Sequence, residues 1–387
     1  MPKDIDPATD QHTSSVNQPH GDPTVPERGV VPARPPRDGA DVLMKVFHFV
    51  VAIFLFILAI QLMKRGAQAI APRLQGTFPF DNGVSTMGLG WLGAYLVLSG
   101  SPIAAVALSL FAVNATTRIQ TFTMLTGSRL GASFIVLLVG FIYAVRSRRR
   151  RESVGMGVLA LSMTALVYIP GMFLAYGLLR SGMLDGVNWT ASAELSGAID
   201  ALWGPIVRLS DQLLPGPMLF PLGLAVILIS FKLLDLVLPS LDGEKHASSR
   251  GHWMRRPWPM FFLGSLAALL TLSVSVALTI LVPLASKGYV KREQAIPYIA
   301  GANITTLADT LVAAMILGNP VGVQVVLAEA IGVDIITLLL LTFLYGPVSR
   351  GIIALDDWIV ATTPRLVAFV AILFLLPVAL VFSGRLL

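Results

Sequence analysis

Long stretches without a charged side chain constrain this sequence more than any other feature. Two of them, Val154 to Leu179 and Met260 to Ala285, exceed the roughly 20 apolar residues that a helix needs to cross a bilayer. Only 13% of the 387 residues are charged, whereas a soluble domain carries about a quarter. The sequence therefore predicts an all-α fold and a polytopic membrane protein.

The apolar segments and the polar stretches between them predict six regions. Residues 1–42 are rich in Pro, poor in large apolar side chains and without the apolar core of a signal peptide. In chain order, the predicted regions are a disordered Pro-rich tail (1–42), a first membrane helix and external loop (43–83), repeat 1 (84–146), two connecting membrane helices (153–238), repeat 2 (257–346) and a C-terminal membrane helix (347–387).

Two basic runs predict which loops face the cytoplasm. One extends from Arg146 to Arg151 and the other from Lys245 to Arg256, and membrane proteins concentrate Lys and Arg in cytoplasmic loops. Two predicted spans separate the runs, so both can lie on that side. The same bias accounts for the formal net charge of +6 without a nucleic-acid partner. We expect a multi-pass protein of the cell membrane with a cytoplasmic N-terminal tail.

A polar pattern recurs along the chain at a separation of 174 residues. Ser99 pairs in this way with Ser273, and Ser101 pairs with Ser275. The same separation relates Arg118, Gln120 and Gly127 to Arg292, Gln294 and Gly301. Repeat 1 ends, and repeat 2 begins, at a basic run. If each copy crosses the membrane an odd number of times, the two are inverted-topology repeats.

In both copies the pattern interrupts an apolar run with Gly, Pro or hydroxyl residues. Such interruptions predict re-entrant or broken helices, whose freed backbone groups are tolerated only beside a protein-lined polar cavity. Half-helix N-termini favour an anion, and freed carbonyl and hydroxyl oxygens suit a hard cation such as sodium. The pattern therefore favours co-transport of an anion with sodium.

Two motifs resemble those of a known family. The segment 301–306, Gly-Ala-Asn-Ile-Thr-Thr, resembles the Gly-Ala-Asn-Ile-Gly-Thr-Thr signature of the sodium/phosphate cotransporter family. The serine pairs at 99/101 and 273/275 resemble the Gln-Ser-Ser-Ser-Ala-Thr motif that occurs once in each repeat of that family. Over residues 84–345 the chain resembles a bacterial type II-like member with divergent motifs. The resemblance implies sodium-driven phosphate uptake, with the Ser-rich tips and the Gly-Ala-Asn turn forming the site.

Two departures from the signature are ionisable. Arg129 stands where the signature has Asn, and Asp309 stands in place of a Thr. Ionisable groups at membrane depth usually line a pathway or pair with each other, so we expect Arg129 to bind the anion or to pair with Asp309. The predicted substrate-binding residues are Ser99, Ser101, Ser128, Arg129, Ser273, Ser275 and Asn303. The predicted sodium-binding residues are Ser133, Thr305, Thr306, Asp309 and Thr310.

The leading functional hypothesis is a secondary active symporter that works by alternating access, with sodium as the coupling ion and no other cofactor. One alternative keeps the fold and changes the anion, or couples transport to protons through Asp309, Glu329 or Asp334. A membrane scaffold and a membrane-embedded enzyme are alternatives from other classes. Without Cys, a His pair or a convergent acidic motif, the sequence does not predict an enzyme. The expected partners are a small anion, sodium and the lipid bilayer, and a homo-oligomer is left open.

Overall fold

The computed structural model describes residues 39–74, 80, 82–146, 150–237 and 256–383. Most of the predicted Pro-rich tail, residues 147–149 of the first basic run and residues 245–255 of the second lie outside these residues. Contacts divide the chain at Val42, and Leu43–Leu387 forms one compact unit. The described residues are helical and contain no strand, which confirms the predicted all-α class.

Sixteen α-helices cover most of the described residues. The first eight are α1 (Gly39–Leu74), α2 (Gly83–Val97), α3 (Ser101–Ala112), α4 (Arg118–Ala132), α5 (Phe134–Arg146), α6 (Arg150–Ser181), α7 (Ala193–Leu213) and α8 (Leu219–Val237), with a 3-10 turn at Gly216–Met218 before α8. The others are α9 (Pro257–Thr271), α10 (Val274–Thr279), α11 (Leu281–Ser286), α12 (Arg292–Thr305), α13 (Ala308–Ile316), α14 (Pro320–Phe343), α15 (Tyr345–Val360) and α16 (Thr363–Phe382).

Seven helical stretches within the described residues are long and apolar enough to cross a membrane. They are Leu43–Leu74, Arg118–Val145, Arg151–Ser181, Gly216–Leu236, Arg292–Ile316, Pro320–Phe343 and Thr363–Phe382. The predicted polytopic membrane protein is therefore confirmed. The helices α7 and α15 were not predicted as separate helices, because each mixes polar with apolar residues.

The helices α2 and α9 are too short to cross a bilayer. Each has 15 residues, which span about 22 Å at about 1.5 Å per residue, against a hydrocarbon core of about 30 Å. Each also ends at a leucine in the left-handed region, Leu98 with φ 57° and Leu272 with φ 46°. A bulky residue rarely adopts this conformation, so the two breaks are specific features of the fold and lie at equivalent positions.

The two copies restart the helix after the break by different means. In repeat 1, Pro102 lies at the start of α3, where its missing N–H leaves no backbone bond unmade. In repeat 2, the Ser273 hydroxyl accepts a hydrogen bond from the Val276 N–H at 3.3 Å and so caps α10. The predicted interruptions at Ser99–Pro102 and at Thr271–Ser275 are therefore breaks between helices.

Glycine lets α2 and α4 in the first copy, and α9 and α12 in the second, pack with their backbones in contact. A Cβ atom placed on Gly127 of α4 would lie 2.0 Å from the carbonyl oxygen of Met87 on α2. A Cβ atom on Gly301 of α12 would lie 2.0 Å from the carbonyl oxygen of Phe261 on α9. Both glycines and both carbonyls are related by the 174-residue separation, so the crossing is the same in the two copies.

Contacts between the two copies are reciprocal. The tip helix α3 of the first copy packs against α13, while the corresponding α10 and α11 of the second pack against α5. Likewise, α4 packs against α14 and α12 packs against α6. A two-fold relation between similar halves produces this pattern. The inverted orientation of the copies relative to the bilayer stays a prediction.

Two of the residue pairs at the 174-residue separation lie at the starts of α4 and α12. The side-chain oxygen of Gln120 accepts from the Thr117 N–H at 2.8 Å, and that of Gln294 accepts from the Lys291 N–H at 2.9 Å. The neighbouring Arg118 approaches Asp185 at 3.4 Å. These side chains hold the ends of α4 and α12, so their recurrence has a structural cause.

Arg292 joins the start of α12 to α15. Its guanidinium lies 2.9 Å from Asp356 and 2.5 Å from Asp357. Asp356 is only 1% exposed, whereas the side chain of Asp357 is 61% exposed. Burial raises the pKa of the Asp356 carboxyl to about 7, although the Arg292 guanidinium beside it acts in the opposite direction.

We expect Gly301→Ala to destabilise the protein, because the new methyl group overlaps the Phe261 carbonyl at the helix crossing. Overpacking of this kind costs about 1–3 kcal/mol. Gly177→Ala is the matched control, since a Cβ there has no neighbour within 4 Å. Thermal unfolding of the detergent-solubilised variants measures the difference. Equal melting temperatures for both variants would contradict the close crossing.

We expect Asp356 to make stability depend on pH. Because its folded-state pKa of about 7 lies above its ordinary value, its contribution to stability is full below about pH 4 and is lost as the pH rises to about 7. Asp356→Asn should remove this fall in a pH series of thermal melts, and Asp357→Asn should keep it. A fall of the same size in Asp356→Asn would show that another group causes it.

Candidate functional site

The guanidinium of Arg129 connects the two copies at their breaks. It lies near the end of α4 and is 2% exposed. Its Nη1 donates to the Ser101 hydroxyl at 3.3 Å, at the start of α3, and to the Thr306 hydroxyl at 3.1 Å, in the break between α12 and α13. Its Nη2 donates to the Thr310 hydroxyl. One buried cation is therefore held by hydroxyl groups from both halves of the protein.

Asp309 lies close enough to Arg129 to balance its charge, although the two side chains are not in direct hydrogen-bond contact. Its Oδ1 lies 3.9 Å from Nη2 of Arg129 and accepts hydrogen bonds from the Thr310 N–H at 2.7 Å and the Thr310 hydroxyl at 3.1 Å. Thr310 thus bridges the two charged groups. Within the described residues, Oδ2 of Asp309 and Nε of Arg129 have no hydrogen-bond partner. The pair retains one acceptor and one donor that a ligand could use.

A second hydrogen-bonded chain lies at the end of α4. Ser133 and Thr164 are joined through their hydroxyl groups at 2.7 Å, and the Asn303 amide donates to the Thr164 hydroxyl at 3.2 Å. The Tyr168 hydroxyl donates to the Asn303 carbonyl at 3.3 Å. Thr164 and Tyr168 were not predicted as site residues. Their signal in the sequence is their spacing of four residues, which places both on one face of the otherwise apolar α6.

Several predicted residues have partners that give them a structural role. The Ser128 hydroxyl donates to the Leu125 carbonyl of its own helix at 2.7 Å. The Thr305 hydroxyl donates to the Ser265 carbonyl at 3.2 Å and so joins α12 to α9. Ser273 is the cap of α10. Membrane helices often use Ser and Thr in these ways.

The remaining predicted residues lie at the breaks. The Ser275 hydroxyl donates to the Ala132 carbonyl at 3.5 Å, which links repeat 2 to the residue before Ser133. Ser99 is half-buried and donates its N–H to the Ala94 carbonyl at 3.2 Å. Of the predicted set, the structure brings together Ser101, Arg129, Thr306, Asp309 and Thr310 in one network, and Ser133 and Asn303 in another.

The fold and this buried polar site define the class of protein, and comparison with known families supports the assignment. A family model described as Na+/Pi-cotransporter matches residues 226–376, a range that includes all of repeat 2 but less than half of the chain. With the membrane-helical architecture, the match supports a membrane transporter. It also supports membership of the Na+/Pi-cotransporter family, as the motifs predicted. Comparisons with curated proteins and with solved structures give no match.

We expect strong coupling between Arg129 and Asp309 in a double-mutant cycle. Removing one partner of a buried ion pair leaves an unpaired charge and costs about 3–5 kcal/mol, whereas removing both leaves none. Arg129→Gln and Asp309→Asn should each lower the melting temperature more than the double variant does. The exposed pair Arg65 and Asp211, 2.6 Å apart, is the control and should show little coupling. Additive effects at Arg129 and Asp309 would contradict the pairing.

Proposed function

We propose that this protein is a sodium-coupled symporter that takes up inorganic phosphate or a related oxyanion across the cell membrane by alternating access. The observation that carries the proposal is the buried Arg129, bound by hydroxyl groups at the breaks of both copies. The Na+/Pi-cotransporter match over residues 226–376 supports the same ions.

The chemistry around Arg129 suits an oxyanion. A guanidinium presents several N–H donors in a planar fork, which matches the spacing of phosphate oxygens. Its Nε has no hydrogen-bond partner among the described residues. The adjacent α3 begins at Ser101 and directs the N–H groups of its first turn towards the same region, which favours negative charge. In the proposed complex, the anion takes Arg129 and Ser101 as its donors.

The chemistry around Asp309 suits a sodium ion. Its Oδ1 accepts a hydrogen bond from the Thr310 hydroxyl, its Oδ2 has no hydrogen-bond partner among the described residues, and the Thr306 hydroxyl belongs to the same network through Arg129. Carboxylate and hydroxyl oxygens are the ligands that hard cations prefer. When the anion binds Arg129, Asp309 loses part of its charge compensation, and a sodium ion can restore it. Binding of either ion then favours binding of the other.

The packing between the copies suits alternating access. In each copy, the helix that follows the first break packs against the other copy. In the first copy α3 packs against α13, and in the second α10 and α11 pack against α5. In the proposed cycle the site opens to one side and then to the other as one copy moves against its partner. Transporters with inverted repeats bind their cargo at such an interface.

We expect proteoliposomes containing the protein to accumulate labelled phosphate when a sodium gradient is present, and not when potassium replaces sodium. Excess unlabelled arsenate, sulfate and nitrate tests which oxyanions compete. A proton gradient that drives uptake without sodium would instead support the proton-coupled alternative. Liposomes that accumulate no oxyanion under either gradient would overturn the proposed function.

We expect Arg129→Ala to reduce sodium-driven phosphate uptake at least a hundredfold, because the anion loses its charged ligand and Asp309 loses its partner. Arg129→Lys should recover little, since an ammonium group lacks the planar fork. Arg350→Ala on α15, an exposed arginine, is the matched control. Uptake rates are compared at equal amounts of inserted protein. Normal uptake by Arg129→Ala would remove Arg129 from the site.

A further inference from the structure

A second carboxylate is buried close to the network and takes no part in it. Glu329 lies on α14 and is 0% exposed. Within the described residues, neither of its carboxylate oxygens has a well-formed hydrogen bond, and the Thr126 hydroxyl on α4, which interacts with Glu329, donates to the Phe122 carbonyl at 3.1 Å. A carboxylate in this position is strongly unfavourable unless a cation accompanies it. Glu329 therefore has an unmet need for positive charge that packing alone does not explain.

The charged groups around Glu329 supply too little positive charge for it. The charge of Arg129 on α4 acts on Glu329, but the same guanidinium already faces Asp309 on α13. The Tyr168 hydroxyl on α6 lies within the field of Arg129, Asp309, Glu329 and the half-buried Asp334. One arginine thus faces two fully buried carboxylates on two different helices.

Anion binding at Arg129 leaves still less positive charge for the two carboxylates. If the anion occupies the guanidinium of Arg129, as in the proposed function, neither Asp309 nor Glu329 retains its full compensation. A buried site of this kind is stable only when further cations enter with the anion. Asp309 has the Thr310 hydroxyl beside it, and the Thr306 hydroxyl in the same network, to help bind one cation, and Glu329, on another helix, is left to take a second.

We propose that Glu329 binds a transported cation of its own, separate from the cation at Asp309. The cation is a sodium ion or a proton, since either supplies the single positive charge that the carboxylate lacks. The inference rests on the proposed function and extends it from one coupled cation to two sites with different residues. Removing the carboxylate should lower the number of coupled cations by one.

The test measures how much phosphate the proteoliposomes hold when net flux has stopped. Under a tenfold gradient of the coupled cation, with the membrane potential held at zero, each cation moved per phosphate contributes a factor of ten to the accumulation ratio. Glu329→Gln, which keeps the shape and loses the charge, should lower that ratio tenfold relative to the unchanged protein. Glu194→Gln, an exposed residue of α7, should leave the ratio unchanged.

Two gradients identify the cation. If Glu329 binds sodium, the tenfold decrease appears under a sodium gradient at equal pH. If it binds a proton, the decrease appears under a pH gradient at equal sodium. Glu329→Gln with unchanged ratios under both gradients would overturn the inference and leave the proposed function intact. Failure of the unchanged protein to accumulate phosphate would instead overturn the proposed function.

A measurement on the unchanged protein covers the case in which Glu329→Gln does not fold. Dicyclohexylcarbodiimide modifies carboxyl groups in apolar surroundings, and mass spectrometry locates the modified residue. Glu329 should be modified, and either sodium with phosphate or a rise in pH should slow the reaction. The inference would be overturned if neither sodium with phosphate nor a rise in pH changed the rate of modification. It would also be overturned if Glu329 were not modified under any condition.

Discussion

Every backbone group that a helix break frees inside a bilayer needs a polar partner, and this requirement organises the protein. The breaks after Val97 and Thr271 each pass through a leucine with positive φ, and each is followed by a short helix that begins with its own cap or a proline. The freed groups are satisfied by protein atoms, because hydrocarbon offers none. Buried hydroxyl groups lie beside both breaks, Ser101 after the first and Ser275 after the second.

The same requirement explains why hydroxyl groups here have two different roles. Ser128 and Thr305 bond to nearby carbonyls and hold helices in place. Ser101, Thr306 and Thr310 instead bind the buried guanidinium of Arg129. The second role needs a charged group at membrane depth, which is costly and therefore seldom present without a function. A single arginine, shared between the copies, distinguishes this polar network from ordinary helix packing.

Some features were predictable because the types of residue and their positions along the chain indicate them. The uncharged runs identify membrane helices, and the constant separation between polar residues locates equivalent breaks. The pairing of Arg129 with Asp309 was one of two expectations for Arg129, and the structure places the two side chains 3.9 Å apart. Thr164 and Tyr168 were missed, since two hydroxyl groups four residues apart in one apolar span do not by themselves distinguish a site from helix packing. The amphipathic helices α7 and α15 were missed because polar and apolar residues alternate along them without a long uncharged run.

The sequence by itself determined the all-helical membrane class, the family resemblance and the positions of the breaks, because hydropathy, helix-breaking residues and motif spacing are local properties. Only the tertiary structure decided which hydroxyl groups meet Arg129, which bond to their own helices, and that Glu329 is buried with no well-formed hydrogen bond among the described residues. Those outcomes depend on how helices far apart in the chain pack, on glycine crossings that bring backbones together, and on reciprocal contacts between the copies. A local sequence pattern does not specify how close residues far apart in the chain lie in the folded protein.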